Sequence, residues 1–92
     1  MMEARLLGLL KMIRDFQPIT VRELEAIAWA RGLDYGVEYT DWICGNNGCT
    51  SKRLRADVRS LAEQGLVRIE DRLKVSSRGL EVLALAIREG IK

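Results

Sequence analysis

Lys52, Arg53, Arg55 and Arg59 crowd into eight residues of this 92-residue chain. Their chemistry is that of anion recognition: a guanidinium fork pairs with two oxygens of a phosphate or with the O6/N7 edge of guanine, and an ammonium acts as a point charge. On a helical wheel Lys52, Ala56 and Arg59 point directly away from a stripe of Leu54, Val58 and Leu61. Arg53 and Arg55 flank that polar face, and Ser60 lies one turn further along. Residues 50–65 carry these four bases against Asp57 and Glu63, whereas residues 32–49 carry Asp34, Glu38 and Asp41 and no base. A net charge of only +2 thus conceals a segregated distribution, as a one-sided binding surface requires. A solvated helix exterior is the plainer reading of such a face.

Other chemistry is scarce. Cys44 and Cys49 are the only cysteines, five positions apart around Gly45-Asn46-Asn47-Gly48. A structural zinc ion needs four ligands, and a chain without histidine cannot assemble the usual Cys/His set, so no metal is expected from one chain. An intrachain disulfide is geometrically easy, and free thiols and an intersubunit bridge or shared metal stay open beside it. There is no histidine to act as a base near neutral pH, no glycine-rich phosphate loop and no standout carboxylate pair. The expectation is therefore no enzyme, no cofactor and no evident small-molecule ligand.

The elements that must position the basic face can be read from periodicity. A helix over 51–64 starts at a Thr50 or Ser51 cap and ends at Gly65, which suits a left-handed backbone position. Over 66–76 the period drops to two, with Val67 and Ile69 alternating with Arg68 and Glu70, and Leu73 and Val75 with Arg72 and Lys74. That predicts a hairpin turning at Glu70, Asp71 and Arg72, with no Gly or Asn to set its register. Ser76 or Ser77 then caps a helix over 77–90. Upstream, Leu6, Leu9, Leu10, Ile13 and Phe16 predict helix one over 2–15, closed before Pro18. Thr20 and Glu23 form a capping box for helix two over 20–31, with Val21, Leu24, Ile27 and Ala28 inward, Trp29 off that face and Gly32 as terminator.

Between them, residues 32–49 hold Tyr35, Tyr39 and Trp42, which with Trp29 make four of the five aromatics. Such a segment is expected to pack down, with one helical turn over Thr40–Cys44 and a turn at Gly45–Gly48. The last helix is apolar on two sides. Leu80, Leu83, Ala84, Ile87 and Ile91 form a stripe assigned to the core, and Val82, Leu85 and Ala86 a nearly opposite one assigned to a second subunit, with Leu7 or Met12 of helix one adding to that interface.

At 92 residues and 48% hydrophobic content the chain is one globular domain, of a size that commonly gains stability by oligomerising or cross-linking. No apolar run approaches the ~20 residues that cross a bilayer, and Glu3, Arg5 and Lys11 interrupt the N-terminal stretch, so neither membrane contact nor a signal peptide is expected; the expected location is the cytoplasm.

The run Leu54, Val58, Leu61, Gln64-Gly65-Leu66-Val67, then a hairpin, then Val75-Ser76-Ser77-Arg78-Gly79 resembles winged-helix transcription regulators of the broad MarR, PadR and ArsR-like type. It is also similar to small winged-helix proteins of archaea and their viruses. The resemblance covers residues 50–80 closely and 4–31 loosely. It implies a mainly helical winged helix-turn-helix domain with three core helices, a wing and a C-terminal dimerisation helix, and a short strand at Ile19 beside the wing. It also implies a homodimer that binds a pseudo-palindromic site in double-stranded DNA as a transcription regulator. The 51–64 helix would then be the recognition helix, contacting DNA through Ser51, Lys52, Arg53, Arg55, Ala56, Arg59 and Ser60, with Arg68, Arg72 and Lys74 steadying the hairpin against the backbone. The archaeal resemblance raises the option of an intracellular disulfide. The rival expectation is a winged-helix protein-interaction or RNA-binding module.

Overall fold

The computed structural model describes residues 3–88 as a small, mainly helical domain of four α-helices and two β-hairpins. In chain order these are α1 (Ala4–Phe16), α2 (Val21–Arg31), a 3-10 turn (Gly32–Tyr35), β1 (Trp42–Gly45), β2 (Gly48–Ser51), α3 (Lys52–Glu63), β3 (Val67–Ile69), β4 (Leu73–Val75) and α4 (Ser77–Arg88). The expected starts and ends at residues 2 and 90, and the part given to Ile91, lie outside the described residues.

The core is a leucine cluster to which every helix contributes: Leu9, Leu10, Met12 and Ile13 of α1, Leu24 of α2, Leu54 and Leu61 of α3, Leu83 of α4, and Leu73 of β4. Each such side chain contributes about 1.5–3 kcal/mol by leaving water. Helix α1 runs through the middle of this cluster, against α3, α4, β4 and the 3-10 turn. Its wide apolar arc is therefore consumed within one chain. Leu7 and Met12 are buried, which corrects their assignment to a subunit interface.

Helix boundaries follow their capping chemistry. Gln17, before Pro18, is extended and ends α1. The Thr20 hydroxyl accepts from the Glu23 amide at 3.1 Å while the Glu23 carboxylate accepts from the Thr20 amide at 3.0 Å. Gly65 takes φ 75° after α3, and the Leu66 amide reaches back to the Leu61 carbonyl at 2.9 Å, closing the helix in the way a left-handed residue permits. Ser76 caps α4 by accepting from the Gly79 amide at 3.0 Å. Gly32 does not end α2 with a left-handed turn; it stays right-handed and leads into the 3-10 turn, and Gly36 takes the positive φ instead.

The second hairpin pairs Val67 with Val75, Arg68 with Lys74 and Ile69 with Leu73. Ile19 adds a one-residue bridge to Leu73, exchanging backbone hydrogen bonds of 3.3 and 2.6 Å. The first hairpin occupies ground where the sequence suggested a helical turn. Residues 42–45 are a strand, paired Trp42 to Ser51 and Cys44 to Cys49 around Asn46-Asn47. The β-branched and aromatic residues Trp42, Ile43 and Thr50 suit a pleated strand better than a single helical turn. Directly opposed, Cys44 and Cys49 are joined as a disulfide, with Cα atoms 4.0 Å apart.

Helix α4 is rotated from its expected setting. Gly79, Leu83 and Ala86 face inward, Val82 packs against the core edge, and Leu80, Leu85 and Ile87 are exposed. The cause is Gly79, where a Cβ would overlap the Leu66 carbonyl oxygen and the Val75 side chain, so the glycine face is the one that packs against the residue before β3 and the end of β4. Of the residues assigned to a subunit contact, Leu7, Met12 and Ala86 belong to the core, Val82 is half-buried and Leu85 alone is exposed.

Candidate nucleic-acid interface

The N-terminus of α3 is held by three side chains from outside the helix. Ser51, itself buried, accepts from the Leu54 amide at 3.1 Å and donates to Asp41 Oδ1 at 2.5 Å. Asp41 Oδ2 accepts from the Arg53 amide at 2.9 Å, and Glu25 Oε2 from the Ser51 amide at 2.8 Å. These acceptors satisfy amides that the first turn leaves without helical partners, and their negative charge suits the positive end of the helix dipole. Ser51 thus serves as a buried cap and is not exposed for a DNA contact, which corrects its assignment.

The Ser51 hydroxyl and then the Arg53 amide hold the Asp41 carboxyl below its ordinary value of 3.8. A depressed carboxyl stabilises the fold fully above its unfolded pKa, and that stability is lost as pH falls through the folded value. Thermal midpoints should therefore decline with acidification below 3.8, and Asp41→Asn should flatten that part of the decline. An identical acid limb in the variant would contradict the Asp41 cap.

Arg55 and Asp57 turn toward the protein. The Arg55 guanidinium reaches Glu25 through Nη2 to Oε1 at 3.1 Å and Nε to Oε2 at 3.3 Å. Glu25 is completely buried, so Arg55 is its counterion and less available to a ligand than the wheel suggested. Asp57, also buried, accepts from Arg5 Nε at 2.7 Å, Arg5 Nη2 at 3.3 Å and the Tyr39 hydroxyl at 2.6 Å. Burial, then the bond to Asp57, pushes the Tyr39 hydroxyl well above the ordinary tyrosine range.

Lys52, Arg53, Ala56 and Arg59 remain on the outer face of α3. None of the three cations has an ion-pair partner among the described residues. With Asp57 internal, the acid left exposed on α3 is Glu63, so the outer face is more purely basic than the residue count implied. Ser60 is half-buried and receives a 3.3 Å bond from Gln64. On the hairpin, Arg68 pairs with Glu70 at 3.1 Å and Arg72 lies 3.9 Å from Glu23. Both pairs are solvent-exposed and worth about 0–1 kcal/mol, so either cation is readily released to a phosphate. Lys74 is exposed with no ion-pair partner among the described residues. A depression of ≈ 330 Å³ lined by Val21, Arg55, Val58, Arg59 and Ile69 joins α2, α3 and the second hairpin into one concave surface.

Glu25 had no expected role, and neither Arg5, read as an interrupting charge, nor Tyr39, read as a packed aromatic, was expected to bond Asp57 of α3. Asp57 carried a readable signal, since it stands three residues after Leu54 and four before Leu61, within the apolar stripe of its helix. Comparison with protein-family models, curated proteins and solved structures finds no match to the chain.

Proposed function

We propose that this chain is a winged-helix protein that binds duplex DNA through the outer face of α3, acting as a dimeric transcription regulator and not as an enzyme. The observation that carries the reading is the division of charge on α3: Lys52, Arg53 and Arg59 face solvent unpaired among the described residues while Asp57 is turned inward. A helix with a basic outer face, a capped N-terminus and an adjacent hairpin has the parts needed to enter a major groove with its first turns leading. In this reading Lys52 and Arg53 meet base edges or backbone, Arg59 pairs with guanine or clamps a phosphate, and Lys74 and Arg72 approach the flanking backbone. Glu70 and Asp71 at the hairpin tip oppose insertion into a minor groove. The exposed apolar side chain of Ile69 beside α3 favours, as a second reading, a protein-interaction module on the same surface.

The dimer contact is reassigned to Leu80, Ala84 and Ile87, an exposed apolar stripe of α4 at helical spacing. A twofold axis there buries the same stripe of both chains and sets two α3 helices to read half-sites ~34–36 Å apart. Selection from random duplex DNA by the purified protein should enrich an inverted repeat, and Ile87→Glu should enrich a single half-site. No enrichment would overturn the DNA reading; an inverted repeat enriched equally by Ile87→Glu would overturn the α4 contact alone.

A further inference from the structure

We propose that the concavity between the end of α2 and residues 37–42 is a binding site for a small organic cation of the quaternary-ammonium class. It is an open concavity of ≈ 390 Å³ whose lining includes Trp29, Tyr39 and Trp42, a size ordinary for small-molecule sites. The Trp29 and Trp42 ring centroids are 5.3 Å apart at 77°, and those of Tyr39 and Trp42 are 6.1 Å apart at 89°. Tyr39 is buried and Trp42 half-buried, so these two form the floor of the concavity, while Trp29, packed edge-to-face on Trp42, is largely exposed and offers its ring to the cavity; an aromatic face of this kind attracts cations.

The rim supplies matching charge. Asp34 and Glu38 line it, and its one base, Arg31, is paired with Asp34 at 3.6 Å. Glu38 has no ion-pair partner among the described residues. Trp29 is 56% exposed and Leu33 77%, apolar surface at the mouth that the core does not use. A neutral apolar ligand would cover Trp29 and Leu33 but draw no attraction from the exposed Glu38, and an anion would be repelled. The occupant bears on the stretch whose Tyr39 and Asp41 hold α3, and its binding is independent of whether α3 meets DNA.

The test is calorimetric titration of the whole chain with choline and with its neutral isostere, 3,3-dimethyl-1-butanol. Choline should bind saturably in the millimolar range or tighter, with the isostere about tenfold weaker. Trp29→Leu, which keeps an apolar side chain without a π-face, and Glu38→Gln should each weaken choline about tenfold, while Ile43→Ala, exposed and outside the cavity lining, should not. Equal binding of the two ligands, no saturable choline binding, or full affinity in both Trp29→Leu and Glu38→Gln would overturn the site.

Discussion

Replacing Arg55 by alanine should lower the thermal midpoint by on the order of 10–20 °C, a larger effect than expected for a surface arginine. Glu25 is completely buried, and its partners are the Ser51 amide and the Arg55 guanidinium. Without Arg55 the carboxylate keeps one backbone donor and no counterion, and stranding a buried charge costs about 3–5 kcal/mol. The lower end applies, because the Arg55 side chain is 57% exposed and solvent screens part of its attraction. In a domain of this size about 1 kcal/mol moves the midpoint by about 4–8 °C. Arg55→Ala combined with Glu25→Leu removes both charges and should recover much of the loss. Melting curves of the three proteins decide the matter: an Arg55→Ala midpoint within a few degrees of the parent would show that Glu25 does not depend on Arg55.

Caps are local, so Thr20 with Glu23 and Gly65 could be read directly, and the α3 cap to within Thr50 or Ser51, as could the hairpin turning at Glu70–Arg72. The 32–49 segment resisted, because a short strand paired, among the described residues, with the other arm of its hairpin alone has no periodicity long enough to distinguish from one helical turn. The rotation of α4 was not legible from apolar spacing, since two stripes compete. Gly79 decides between them through a close backbone approach that exists only in three dimensions. Glu25 sits beside Leu24 at the flank of an apolar stripe, and its full burial depends on a partner thirty residues away. Pairings at that sequence distance leave no local trace. On the outer face of α3, the exposed set Lys52, Arg53 and Arg59 was readable from the wheel, whereas the diversion of Arg55 and Asp57 into internal pairs was not.

The second large effect expected of the proposed interface is on DNA affinity. Lys52→Ala, Arg53→Ala and Arg59→Ala together remove the three outward cations of α3 without touching a side-chain ion pair among the described residues, so the variant should melt close to the parent. Each lost bidentate contact with guanine costs about 1–3 kcal/mol. Each lost phosphate contact also removes its share of released counterions, making the plot of log affinity against log salt shallower by about 0.9. Arg55→Ala should by contrast act mainly on stability, so the two sets of variants separate what holds α3 in place from what α3 touches.

The most direct measurement is a duplex-DNA binding isotherm at two salt concentrations for the parent and the Lys52/Arg53/Arg59 triple alanine variant. The predicted result is steep salt dependence in the parent, with affinity lower by on the order of 100-fold or more and a shallower salt slope in the variant. A folded triple variant that binds duplex DNA as tightly as the parent, with the same salt slope, would contradict the assignment of this face.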